Sequence, residues 1–170
     1  HSAKSVVHLI WEKAKGFIQK AFTIIFAASI VIWFLQTFDA RFNVVSMPES
    51  SLLAALGSIF APLFAPLGFA DWRVSTALIT GFTAKESVVS TLTLLLGGEV
   101  SSIGTLFTPF TAVVFLVFVL LYTPCVAAIA TVKREMGSTR AAITTALTQC
   151  VIAWLIAFAV RCIGLAFGLA

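Results

Sequence analysis

Two short stretches hold the residues whose types and spacing can do chemistry. In "GFTAKESVVS", residues 81–90, Lys85 stands beside Glu86 within an otherwise almost uncharged segment. In "LLYTPCVAAIATVKRE", residues 120–135, Cys125 follows Pro124 deep in an apolar run. Thr83-Ala84-Lys85-Glu86 has the S/T-x-x-E spacing of a capping box, and Gly81 permits a backbone break just before it. A helix start is therefore expected near the centre of that segment. Pro124 has no N–H and clashes with the carbonyl one turn back, so carbonyls near Leu120 and Leu121 should lose their partners. Thr123 is a good N-cap and Pro124 fits the first helical position. Cys125 would then sit in the first turn of a new half-helix, where its thiolate is favoured. A thiolate, a carboxylate and freed carbonyls suit a borderline divalent transition metal. The plainer alternatives are a continuous helix with structural ion pairs at Lys85 and Glu86, and a proline kink with a small buried cysteine.

The elements that must position these residues are membrane helices. The chain has 170 residues, 60% of them hydrophobic and only 11% charged, with 16 Phe and 4 Trp. Its mean hydropathy is +1.07. A water-soluble domain of this length needs more polar surface. The expected fold is all-α: a polytopic transmembrane bundle with discontinuous helices and about five membrane segments. Residues 1–170 form a single membrane domain. Residues 1–16 are an amphipathic lead-in, with Val7, Ile10 and Trp11 on one face and Lys4, His8 and Glu12 on the other, lying on the membrane surface or overhanging the first span. The segments are 17–38, 52–69, 74–96, 109–132 and 141–168, each near the length that crosses a hydrocarbon core of about 30 Å. The stretch 52–69 is broken by Gly57, Pro62, Pro66 and Gly68, and either crosses or re-enters. Lys4, Lys13, Lys15 and Lys20, and then Lys133, Arg134 and Arg140, mark the cytoplasmic side. The loops 39–51 and 97–108 are poor in Lys and Arg and fall outside.

Other chemistry is poorly supported. A formal charge of +4 without a basic, aromatic-rich run excludes a nucleic-acid partner. Cys125, Cys150 and Cys162 show no pairing pattern, and the last two read as packing residues. Arg161 is expected to snorkel or pair within the bundle. Neither histidine is read as having a ligand partner on its own helix face. Phosphate-cradling and nucleophile-elbow motifs are absent, and no His in the spans can activate Cys125, so the chain itself is not expected to be an enzyme. It begins with His1 and carries no signal-peptide pattern, and is expected to be a piece of a longer polypeptide.

Three blocks in order, "KAKGFIQKAFTIIFAASIVIWFL", "FAPLGFADWRVSTALITGFTAKESVVSTL" and "LLYTPCVAAIATVKREMGS", resemble the C-terminal membrane part of the prokaryotic ferrous iron transporter B family (FeoB), at its second Gate segment. The resemblance implies a multi-pass protein of the inner membrane that carries Fe2+ as cargo and holds no cofactor in this chain. GTP and Mg2+ would bind only in a cytoplasmic GTPase domain elsewhere in the polypeptide. The implied partners are lipid, that domain, a first Gate segment, small cytoplasmic Feo proteins and further copies of the chain. The family's membrane motifs fall on Ala84-Lys85-Glu86 and Pro124-Cys125, making Lys85, Glu86, Thr123 and Pro124 transport or gating residues and Cys125 with Glu86 the candidate metal ligands. Gate segments also resemble parts of nucleoside transporters, so another solute is one alternative, and a scaffold that moves nothing is a second.

Overall fold

The computed structural model describes residues 3–122 and 125–168, and places seven α-helices there. They are α1 (Ala3–Thr37), α2 (Leu52–Phe60), α3 (Trp72–Gly81), α4 (Ser87–Leu95), α5 (Pro109–Leu121), α6 (Val126–Met136) and α7 (Thr139–Ala166). Short 3-10 turns cover Pro48–Ser50, Ala61–Leu67 and Val100–Thr105. The starts of α2, α3, α5 and α7 follow from local sequence. Ser51, Asp71, Thr108 and Ser138 each accept a backbone N–H with their side chain, and Pro109 opens α5 where a missing N–H costs nothing. Gly137, at φ +64°, ends α6 in the left-handed conformation that glycine tolerates best.

The lead-in and first span are one unbroken helix of 35 residues, rising about 52 Å. It lies at the periphery against α2 and α6. By length and composition, Ser5–Thr37, Pro109–Met136 (taken across its break) and Thr139–Ala166 can cross a membrane. Leu52–Leu67 and Trp72–Gly81 together make a fourth candidate, bent by 103°. That gives three or four crossings where the hydropathy pattern led us to expect five. The difference lies in 74–96, which is a hairpin of two half-length helices. Residues 80 and 91 would stand about 16 Å apart along a straight helix. Instead the hydroxyls of Thr80 and Thr91 hydrogen-bond at 2.9 Å, because the chain reverses at 82–86.

The core lies where α5 and α7 flank this folded-back group. Phe64, Phe69, Phe107, Phe115 and Phe118 interlock with ring centroids 4.9–6.4 Å apart. Ala153 and Ala157 of α7 are fully buried, and small residues of this kind let membrane helices approach closely. Gly57 does the same between α2 and α3, since a Cβ there would meet the Thr76 hydroxyl and the Trp72 carbonyl. Trp154 Nε1 donates to the Leu63 carbonyl at 3.0 Å, fixing α7 to the turn after α2.

Candidate functional site

Both expected breaks are present, and they meet. The α3–α4 reversal at 82–86 packs into the gap between α5, which ends at Leu121, and α6, which begins at Val126. The Lys85 ammonium donates to the carbonyls of Tyr122 at 2.9 Å, Val119 at 3.2 Å and Leu120 at 3.3 Å. It also stands 4.8 Å from the centroid of the Tyr122 ring. On the other side of the gap, the Val126 N–H donates to the Phe82 carbonyl at 2.9 Å. One turn of chain thus supplies a cation to the carbonyl end of α5 and a carbonyl to the amide end of α6. Both match the sign of the helix ends they meet.

At α6 the Phe82 carbonyl takes the part of the local cap we anticipated, whereas the first amides of α4, of Ser87 and Val88, bond to the nearby Ala84 and Lys85 carbonyls. Glu86 occupies the N-cap position of α4 and Cys125 that of α6, and neither makes a side-chain capping bond. The capping box is not formed. The Thr83 hydroxyl donates backwards to the Thr80 carbonyl, because the chain at 80–83 continues as a tight turn off the end of α3. The carbonyls near Leu120 expected to be free are taken by Lys85. Thr123 and Pro124 lie outside the described residues. Cys125 sits at the N-cap, at the edge of the half-helix and not inside its first turn, with its thiol half-buried.

Lys85 thus holds the last carbonyls before the break whose far side begins at Cys125, and Cys150 of α7 lies beside Tyr122 in the lining of one cavity. Glu86 points away, exposed, and among the described residues it forms no hydrogen bond or ion pair. Nor is there, among those residues, a group of three or more His, Cys, Asp or Glu able to hold a metal ion.

Three participants escaped the sequence reading. Tyr122, the single tyrosine of the chain, is buried with its ring stacked on Phe118 at 5.5 Å. Its hydroxyl has no partner and abuts Gly81, where a Cβ would collide with it and with Val88. The signal was available, since a lone tyrosine two residues before a mid-span proline is a polar handle in apolar surroundings. Phe82 acts through its backbone and left no side-chain signal. Cys150, read as packing, lines an apolar cavity of ≈ 690 Å³ together with Tyr122, Phe118 and Trp154. On α1, His8 pairs with Glu12 one turn on at 3.6 Å, contrary to our reading that neither histidine had a partner, and both side chains are exposed.

The sequence is similar to those of several named proteins. A protein named Fe(2+) transporter FeoB from Staphylococcus aureus (strain COL) is 40% identical over 141 residues, covering 81% of this chain and 21% of its own length. One of the same name from Methanocaldococcus jannaschii is 35% identical over 165 residues, 91% of this chain and 24% of its own. An Fe(2+) transport protein A/Fe(2+) transporter FeoB fusion protein from Porphyromonas gingivalis is 28% identical across 98% of this chain and 26% of its own length. The chain thus spans about a quarter or less of the relatives it matches. No solved structure matches. The model of the Gate family, described as nucleoside recognition, matches residues 18–139, a span that contains both breaks and every helix from α2 to α6. On that match, the chain belongs to the Gate family.

Proposed function

We propose that this chain is a membrane part of a ferrous iron uptake transporter and that the junction of the two breaks lies on the ion's route. The observation that carries this reading is the Lys85 ammonium seated on the carbonyls of Val119, Leu120 and Tyr122. Oxygen atoms gathered around a cation inside an apolar bundle are what an ion path requires, and here the protein's own cation occupies them. Discontinuous helices are how many transporters build such sites. Fe2+ is the cargo. Cys125 contacts it as thiolate, Glu86 receives it at the exposed edge of the turn, and Lys85 gates by leaving or holding the carbonyls. Proline at 124 has no N–H to offer the carbonyl one turn back, and Thr123 and Pro124 serve with Lys85 as gating residues.

In the longer polypeptide, a first Gate segment completes the path, and a cytoplasmic GTPase domain holding GTP and Mg2+ drives it. The assembly sits in the prokaryotic inner membrane, crosses it several times, forms homo-oligomers and works with small cytoplasmic Feo proteins. The chain itself moves the ion without chemical conversion. The Gate family's description favours a second reading, in which Lys85 and Glu86 hydrogen-bond a nucleoside-like solute.

The test is Fe(II) uptake by cells carrying the full-length parent with Cys125→Ser or Glu86→Gln, at matched membrane expression. The reading expects both to lose most uptake while GTP hydrolysis persists. Uptake at the parental rate in Cys125→Ser would remove the thiolate from the mechanism, and metal-independent transport of a nucleoside would favour the second reading.

A further inference from the structure

Hydroxyl groups gather on one side of the α3–α4 hairpin, facing α1. A cavity of ≈ 320 Å³ there is lined by Ser29 and Gln36 of α1 and by Thr83, Ser87, Ser90 and Thr91. A second cavity of ≈ 200 Å³ shares Gln36, Thr91 and Leu94 with it and continues to Ser46 and Ser51 in the loop beyond α1. Together they make a polar track from that loop inward to the turn that carries Lys85. Such a lining is unexpected beside the apolar exposed positions of the second half of α1 and of α4, with Phe26 and Val89 more than half exposed.

The hydrogen bonding sharpens the point. Hydroxyls elsewhere on the same two helices satisfy themselves. Thr23, Thr37 and Thr93 donate to the carbonyls of Gln19, Trp33 and Val89, one turn back. That is the usual fate of a hydroxyl in an apolar helix. Along the track, Ser29, Gln36, Ser87 and Ser90 make no side-chain hydrogen bond among the described residues. Thr76, which lines the outer cavity and is 2% exposed, has a hydroxyl without a partner. Polar groups left unpaired in hydrocarbon cost several kcal/mol each, so this many in one strip require water. A neutral lining in which hydroxyls and one amide alternate with Ile32, Trp33, Leu94 and Leu95 lets a hydrated cation pass without binding it strongly enough to hold it. Among the described residues, no carboxylate or basic side chain lines either cavity.

We propose that this track is a water-filled inlet along which a hydrated divalent cation reaches the Lys85 turn from the side of the 39–51 loop. The assignment rests on the transport reading for the cation, and on the cavities and unpaired hydroxyls for the water.

The experiment uses the full-length parent in membranes. Ser29, Ser87 and Ser90 are changed one at a time to Cys, with Phe26→Cys and Val89→Cys as exposed apolar references outside the track. Each is labelled with a membrane-impermeant sulfonated maleimide, and the labelling of the unsubstituted parent is subtracted. Track positions should react at least about tenfold faster than the references, because only a hydrated thiol yields thiolate readily. Fe(II), kept reduced with ascorbate, should slow their labelling severalfold. Rates equal to the references at all three serines would overturn the inlet, meaning that the rest of the polypeptide or lipid covers the strip. Fast labelling indifferent to Fe(II), Mn(II) and Mg(II) would overturn the cation's use of it. The readout needs no uptake, so a parent that carries no iron yet shows divalent-sensitive labelling would refute the ferrous reading and leave the inlet standing.

Discussion

Lys85→Met removes the ammonium and keeps the length and apolar stem of the side chain. The carbonyls of Val119, Leu120 and Tyr122 then lose their donor, and the Tyr122 ring loses its cation. The 2.9 Å bond to a charged donor is worth about 2 kcal/mol, and the two longer ones about 0.5 kcal/mol each. The cation–π contact adds about 0.5–1 kcal/mol. The desolvation that the ammonium no longer suffers returns about 1 kcal/mol, leaving a net local loss of about 2.5–3 kcal/mol. The amide of Val126 reports this loss, because its bond to the Phe82 carbonyl closes the same gap. Hydrogen exchange of Lys85→Met in the full-length protein should show peptides carrying Val126 and Tyr122 exchanging roughly 60- to 140-fold faster than in the parent, at about 1.4 kcal/mol per tenfold. Peptides around Ala153 and Ala157 should not change. Lys85→Arg should fall between the two, since a guanidinium fork fits three converging carbonyls less well than a compact ammonium. Exchange at Val126 within about threefold of the parent would refute the view that Lys85 holds the two breaks together.

Two further outcomes follow from the packing and the loop. A Cβ at Gly164 would run into the ring of Phe110, so Gly164→Ala should destabilise the α5–α7 contact by about 1–3 kcal/mol, read as faster exchange in α7 relative to α1. The Asp39 carboxylate accepts from the N–H of Asn43 at 2.9 Å and of Arg41 at 2.7 Å. The bond from Asn43 foremost holds its pKa below the ordinary carboxylate value. A depressed pKa gives stability that is present at neutral pH and lost as pH falls through the folded-state value. The thermal stability of the parent should therefore exceed that of Asp39→Asn at neutral pH, and the difference should vanish below the ordinary carboxylate range.

Local chemistry made much of the fold legible. Ser51, Asp71, Thr108 with Pro109, Ser138 and Gly137 mark helix ends where each residue's own side chain or backbone freedom does the work. The two interruptions near Gly81 and Pro124 were legible for the same reason, because a missing N–H and a missing Cβ act on the nearest turn. The hairpin was not. Whether 74–96 runs straight or doubles back depends on Thr80 meeting Thr91 and on Val88 and Leu92 burying against the aromatic core, and no window of hydropathy contains those contacts.

The candidate site divides in the same way. From sequence alone come the membrane setting, the positions of both breaks, and Lys85 and Cys125 as the ionisable groups beside them. These depend on composition and on interactions within one turn. Only the tertiary structure pairs one break with the other, gives Lys85 to the carbonyls of α5, turns Glu86 outward, and brings in Tyr122, Phe82 and Cys150. The first amides of α4, expected to be met by a capping box, bond locally to the Ala84 and Lys85 carbonyls, whereas the facing ends of α5 and α6 are met by Lys85 and Phe82 of the distant α3–α4 turn, because in an apolar bundle an unpaired helix end takes whichever partner packing brings to it.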